Sequence, residues 1–77
     1  MLKSKVSRAL NFLEPVLIKV EVEEDLLKLT VVSHVFGNMD MYDRQHKVLE
    51  ALDGEEEIAD KYTILVLAWT EEEYEAL

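Results

Sequence analysis

Few side chains in this sequence have the type and spacing needed for chemistry. The histidines, His34 and His46, have no further ligands at a metal-binding spacing, and the carboxylates include the runs Glu55 to Glu57 and Glu71 to Glu73. A metal site needs three or four converging ligands. Acid–base catalysis needs a carboxylate whose pKa is tuned by burial, whereas runs of glutamate are typical of a solvated surface. Without a nucleophile, a glycine-rich phosphate loop or a cofactor motif, the sequence predicts no metal site and no enzyme.

Length and cysteine content narrow the class of protein further. The chain has 77 residues and no cysteine, which excludes a disulfide framework, a thiolate metal site and an iron–sulfur cluster held by its own sulfurs. We expect a single domain over residues 1–77 that folds on its hydrophobic core alone. The first residues lack the unbroken apolar run of a signal peptide, and no stretch approaches the ~20 apolar residues of a membrane span. We therefore expect a cytoplasmic protein without a membrane segment.

The charge is strongly acidic and unevenly distributed. The net charge is -9, made up of +3 over residues 1–19 and -12 over the remaining chain. Nucleic-acid binding relies on lysine and arginine contacts to phosphates, so most of this surface would repel DNA and RNA. The acidic excess is explained either by solubility or by a basic protein partner.

The elements that would position these side chains start with a helix and a hairpin. Apolar spacing predicts a helix over about Ser4 to Leu13, because Pro15 biases Glu14 away from the helical region. Its apolar stripe is Leu2, Val6, Ala9, Leu10 and Leu13. A strand over 16–22 follows, then a charged turn at 23–25 and a second strand, which together form an antiparallel hairpin. The alternating positions are Ile18, Val20 and Val22, predicted to face inward, and then Leu27, Leu29 and Val31.

A second helix is predicted to reach about Leu52. Asn38 or Asp40 caps it, and Asp53 with Gly54 stops it. Its predicted core row is Met41, Val48 and Leu52 with Gln45 in the same row, and its exposed pairs are Asp43 with Lys47 and His46 with Glu50. Residues 55–60 are compatible with one more helical turn or with an acidic loop.

The chain ends with a strand and a short helix. Tyr62 to Trp69 is the most apolar stretch and is predicted to be the third strand. Thr70 and Glu73 form a capping box that begins a final helix. The predicted fold is α+β with the order αββα(α)βα, and the third strand lies parallel to the second in a three-stranded mixed sheet covered by helices.

Both faces of the third strand are apolar. Ile64, Val66 and Ala68 alternate with Leu65, Leu67 and Trp69. Either the last helix covers the second face, or part of that face is a site for a partner or for self-association. We expect a monomer or a weak homodimer.

The predicted order is also that of one class of KH domains, the class II type. A KH domain clamps nucleic acid with a G-x-x-G loop between two helices. The corresponding turn here is Asp53-Gly54-Glu55-Glu56-Glu57, with one glycine and four carboxylates. This turn would repel a phosphate, so KH-like nucleic-acid binding is disfavoured.

Several blocks of the sequence resemble the BolA-like family. The matching segments are Phe12-Leu13-Glu14-Pro15, Ile18-Lys19-Val20, Leu29-Thr30-Val31-Val32-Ser33 with Phe36-Gly37, Arg44-Gln45-His46-Lys47-Val48 with Leu52, and Thr70-Glu71-Glu72-Glu73-Tyr74. The αββααβ order of that family agrees with the order predicted here. The resemblance implies a non-catalytic adaptor that partners a monothiol glutaredoxin and shares a glutathione-ligated [2Fe–2S] cluster with it, in iron–sulfur or redox homeostasis.

The sequence departs from the family at the positions that serve the cluster. The cluster-ligating histidine of the family aligns with Lys61 or Tyr62, and the loop between the first two strands is short. We therefore expect no cofactor held by this chain. The predicted partner-binding residues are Arg44, His46, Lys47, Tyr62 and Trp69. The alternative is an acidic adaptor domain that binds a basic protein partner.

Overall fold

The computed structural model describes residues 2–77 and confirms the predicted order of elements. The helices and strands are α1 (Leu2–Ala9), a 3-10 helix (Asn11–Leu13), β1 (Leu17–Glu23), β2 (Leu26–Val32), a second 3-10 helix (His34–Asn38), α2 (Met41–Leu52), α3 (Glu56–Ala59), β3 (Thr63–Trp69) and α4 (Glu71–Glu75). β2 lies at the centre of a three-stranded sheet, antiparallel to β1 and parallel to β3. The fold is therefore the predicted α+β arrangement with a mixed sheet.

The first helix differs from the prediction at both ends. It begins at Leu2 and ends at Ala9, and the expected last turn is a separate 3-10 helix. Glu14, which precedes Pro15, adopts a left-handed conformation with φ 47° and ψ 54°. The helix thus narrows to a 3-10 turn and ends before Pro15. A proline disfavours the right-handed helical conformation in the residue that precedes it. Leu10 and Leu13 are nevertheless buried in the core, as predicted.

The hairpin matches the predicted register of alternating side chains. Its connection is the two-residue turn at Glu24 and Asp25, and Glu24 has a φ of 54°. The Asp25 carbonyl accepts a hydrogen bond of 2.8 Å from the Thr63 backbone N–H. The turn therefore also fixes the point at which β3 joins the sheet.

The core lies between one face of the sheet and helices α1 and α2. Buried residues of this cluster include Val6, Leu10, Leu13, Leu27, Leu29, Val31, Phe36, Val48, Leu52, Ile58, Val66 and Ala68. Two predicted core positions are wrong, because Val22 is 48% exposed and Met41 is 37% exposed. Val22 stands near the end of an edge strand and Met41 is the first residue of α2, so each has neighbours on one side only.

The turns around α2 resolve two alternatives that the sequence left open. Asp40 is the helix cap, and its carboxylate accepts a 2.8 Å hydrogen bond from the Asp43 backbone N–H. Residues 55–60 contain one helical turn, α3, because Ile58 there is buried against the core. None of the helices within residues 2–77 has the length and apolar character needed to cross a membrane.

Leu29 tests the role of the central strand in stability. Its side chain is fully buried on β2, so Leu29→Ala removes packing on the inner sheet face. We expect the free energy of unfolding to fall by about 2–5 kcal/mol, measured by urea unfolding monitored by circular dichroism. Leu77→Ala is the control, because Leu77 is 77% exposed. A similar, small effect of both substitutions would contradict this packing.

Candidate functional site

The structure places the predicted partner-binding residues in three different environments. Arg44 is buried, with 6% of its surface exposed, whereas His46 and Lys47 are exposed on α2. Tyr62 and Trp69 are half-buried and lie at opposite ends of β3, about 23 Å apart at ~3.3 Å per residue. The five residues therefore do not form one patch.

The Arg44 guanidinium joins three elements of the fold. Its Nε donates to the Met39 carbonyl at 3.0 Å, and one terminal nitrogen donates to the Ala68 carbonyl at 3.1 Å. The same nitrogen is 2.6 Å from Glu73 Oε1, and the other is 3.2 Å from Glu73 Oε2. The guanidinium carbon also lies 5.9 Å from the centre of the Phe36 ring. These contacts connect the start of α2, the end of β3 and α4.

The sequence analysis named Arg44 as a partner-binding residue, and the structure buries its side chain. Arg44, Val48 and Leu52 lie on one face of α2 at four-residue spacing, and all three are buried. That spacing was a signal in the sequence that Arg44 belongs to the buried row. Four N–H groups of Arg44 donate hydrogen bonds inside the domain. Arg44 therefore affects the protein surface indirectly, because it holds α4 in position.

Glu73 completes the capping box that the sequence predicts. The Glu73 backbone N–H donates to Thr70 Oγ1 at 3.2 Å, and Glu73 Oε1 accepts from the Thr70 backbone N–H at 2.9 Å. The hydrogen bonds from Arg44 and from the Thr70 backbone lower the pKa of Glu73 from 4.5 to about 2. One carboxylate thus both caps α4 and pairs with the buried arginine.

The second face of β3 remains partly open. We call Leu17, Leu65, Leu67 and Trp69 the outer sheet face, because Ile64, Val66 and Ala68 point the other way into the core. Leu65 is 43% exposed, Leu17 is 37% exposed, and Leu67 and Trp69 are half-buried. The five-residue α4 contacts β3 but leaves part of this face uncovered.

The exposed side of α2 carries His46 among aromatic and acidic neighbours. The His46 ring stacks on Tyr42 with 6.1 Å between centroids, and its Nε2 is 3.3 Å from Glu50. This confirms the predicted pair of His46 with Glu50. Tyr42 is 73% exposed, so the two rings form an accessible aromatic surface.

The opposite end of β3 holds a cleft of about 620 Å³. Its apolar lining is Leu2, Ile58 and Tyr62, and its charged lining is Lys5, Glu56, Glu57, Asp60 and Lys61. Lys5 pairs with Glu57, and the Lys61 ammonium lies 5.6 Å from the centre of the Tyr62 ring. The cleft therefore combines an apolar floor with a rim on which cations and carboxylates largely neutralise one another.

The donor set around Tyr62 does not fit an iron–sulfur cluster. The chain has no cysteine, and His34 lies after β2, near Thr70 at the other end of the sheet. Within residues 2–77, no three histidine, cysteine, aspartate or glutamate side chains are grouped as metal ligands. Lys61 and Tyr62 do not replace a histidine or a thiolate as cluster ligands.

Comparison with known proteins was made for both sequence and fold. No family model matches the sequence, and no curated protein matches it. Solved structures that are similar include BolA1 from Arabidopsis thaliana, at 24% identity and a TM-score of 0.74, covering 91% of this chain and 92% of that chain. Another is the BolA domain of SufE1 from Arabidopsis thaliana, at 21% identity and a TM-score of 0.74, with the same coverage. The chain has a BolA-like fold, as its sequence resemblance implied.

The ion pair between Arg44 and Glu73 predicts a specific pH dependence of stability. Because the pKa of Glu73 is lowered on folding, its charge stabilises the fold above pH 4.5, and this contribution is lost as the pH falls towards about 2. We expect Glu73→Gln to be less stable than wild type at neutral pH and the two to converge over that interval. Urea unfolding at a series of pH values measures the difference.

Glu72→Gln is the matched control, since it removes a charge from α4 and leaves the Arg44 pair in place. It should retain the pH profile of the wild-type protein. A difference between wild type and Glu73→Gln that is the same at pH 7 and near pH 2 would contradict the role of this pair.

Proposed function

We propose that the protein is a non-catalytic, cytoplasmic BolA-like interaction module that partners a monothiol glutaredoxin in iron–sulfur or redox homeostasis. The observation that carries this proposal is the fold likeness to two BolA structures over 91% of the chain. Because most of the chain is used to build the BolA-like unit, its function is best sought on the surface of that unit.

The proposed role is one of binding rather than of cluster ligation. The residues immediately before β3 are Lys61 and Tyr62, and the chain has no thiolate to offer. We therefore propose that this chain contacts its partner without supplying a cluster ligand. Such a contact must depend on shape and on buried apolar area.

The outer sheet face is the surface that we propose for this contact. It combines an aromatic side chain, Trp69, with the exposed aliphatic side chains Leu17 and Leu65. Clusters of this kind are uncommon on isolated domains and are enriched in protein interfaces. Arg44 bonds both the Ala68 carbonyl and Glu73, which ties α4 to the end of β3, and Leu65 remains 43% exposed.

A basic protein is the second candidate for the partner. The net charge of -9 and the exposed carboxylates that follow β3, Glu71 to Glu73, favour it. Electrostatic binding of this kind would weaken steeply with added salt, whereas an apolar contact would not. A salt titration of the complex therefore distinguishes the two candidates.

The direct test of the first candidate is gel filtration with a monothiol glutaredoxin, in its apo form and loaded with its cluster. We expect co-elution with both forms and an unchanged visible absorption spectrum of the cluster, because this chain adds no ligand. Failure to co-elute with either form would contradict the glutaredoxin partnership. A changed cluster spectrum would contradict binding without ligation.

Substitutions on the outer sheet face locate the contact. Trp69→Asp places a charge on this face and should weaken glutaredoxin binding by about tenfold or more, measured by isothermal titration calorimetry. Because Trp69 is half-buried, Leu65→Asp at a more exposed position serves as a second variant. Val22→Asp, on β1 at 48% exposure, is the control for added charge. Equal affinities of all three folded variants would exclude the outer sheet face.

A further inference from the structure

One side of the sheet ends in β1, which pairs with β2 alone within residues 2–77. The Asp25 carbonyl and the Ser33 N–H at the two ends of β2 bond β3, so the odd-numbered positions of β2 face β3 and the even-numbered positions face β1. The register pairs even-numbered residues of β2 with odd-numbered residues of β1. The even-numbered residues Ile18, Val20 and Val22 therefore direct their N–H and C=O groups away from the sheet.

The β1 edge differs from the β3 edge in its accessibility. Side chains of α2 donate to carbonyls of β3. Within residues 2–77, no side chain and no loop backbone hydrogen-bonds the outward groups of β1. Val22 is 48% exposed, and the side chains of Lys19 and Glu21 are 59% and 50% exposed. A groove of about 510 Å³ borders Val16 and Leu17 at the start of the strand, so the β1 edge is open to another chain.

The side chains of β1 form an apolar row and a charged row. Ile18, Val20 and Val22 point to the core side of the sheet, and Lys19 and Glu21 point to the other side. Charged side chains on an edge strand usually oppose the addition of another strand. Here the two central charges have opposite signs and lie 3.6 Å apart. They therefore select an added strand by the order of its charges.

A second copy of β1 has the matching order. In antiparallel pairing with Val20 opposite its own counterpart, Lys19 of each copy stands opposite Glu21 of the other, and Ile18 stands opposite Val22. The even-numbered residues then form the hydrogen-bonded pairs. The charged residues form the closer, non-hydrogen-bonded pairs, in which the Cα atoms are about 4.5 Å apart. Both rows of side chains are thus complementary in this register.

The two neighbouring registers bring like charges together. Each is reached by moving the centre of the pairing by one residue, which keeps even-numbered residues opposite one another. A centre at Lys19 places two lysines opposite each other, and a centre at Glu21 places two glutamates opposite each other. Like charges directly opposite are destabilising. Among these three registers, charge favours the one centred on Val20.

We propose that two copies of this chain associate along the β1 edge about a two-fold axis, which joins their sheets into one sheet of six strands. An interface of this symmetry must be self-complementary, and the register centred on Val20 meets that condition. The pairing also covers Val22, an apolar side chain that is 48% exposed in the single chain. Ile18 of the other copy lies opposite it.

The dimer is expected to be weak. A contact confined to one strand edge is smaller than the roughly 800 Å² per partner of a standard interface, and the net charge of -9 on each copy opposes association. Pairing along the β1 edge leaves Leu65, Leu67 and Trp69 of the outer sheet face uncovered, because they lie on β3 at the far side of the sheet. The inference is therefore independent of the proposed glutaredoxin partnership, and the two fail separately.

Sedimentation velocity and amide hydrogen exchange of the full chain at about 0.05 mM and about 1 mM test the proposal. At the higher concentration we expect a larger sedimentation coefficient and exchange of the Ile18, Val20 and Val22 N–H groups slowed by about threefold or more, because these groups bond the other copy. An unchanged sedimentation coefficient, or concentration-dependent protection on β3 instead of β1, would overturn the proposal.

Charge reversal tests the register. Lys19→Glu or Glu21→Lys alone places like charges opposite each other at two positions of the dimer and should weaken self-association by about tenfold or more. The double variant with both substitutions restores opposite charges, keeps the net charge of the wild type, and should associate within about threefold of it. Lys47→Glu on the exposed side of α2 is the matched control for Lys19→Glu and should have less than about a threefold effect. A folded double variant that associates no better than the single variants would contradict the pairing.

Discussion

The buried guanidinium of Arg44 organises the region where α2, β3 and α4 meet. A charge inside a domain is costly unless it is paired and hydrogen-bonded. Here the carbonyls of Met39 and Ala68 and the carboxylate of Glu73 meet that requirement. The position of α4 follows from it, because Glu73 reaches Arg44 while it caps the helix that carries it. This ion pair therefore ties the last helix to the end of β3.

The open parts of the sheet follow from the same arrangement. α4 has five residues and is anchored at the end of β3, so it does not extend along the whole strand. Leu65 and Leu17 on the outer sheet face remain 43% and 37% exposed. Most of this face belongs to β3, an uncharged strand in an otherwise acidic protein. We infer that β3 serves both as a core strand and as the binding element.

Much of the fold could be predicted because its signals are local. Alternation of apolar residues located the hairpin, the unbroken apolar stretch located β3, and the pair of Thr70 and Glu73 located the start of α4. The pairing of Arg44 with Glu73 could not be predicted in this way, because the two residues are 29 positions apart and meet only after the sheet forms. Similarly, alternation tells which side of β1 Val22 faces but not whether a helix covers it there. The candidate site depends on such long-range placement, so Arg44 was named as a partner-binding residue although its side chain is buried.

The central proposal is that this BolA-like domain contacts a monothiol glutaredoxin through the outer sheet face. The most direct measurement is chemical-shift mapping of the isotope-labelled full chain on addition of an unlabelled monothiol glutaredoxin. The account predicts that the largest backbone shifts fall on Leu65, Leu67 and Trp69, with small shifts on α1. Largest shifts on α1, or no shifts at saturating glutaredoxin, would contradict it.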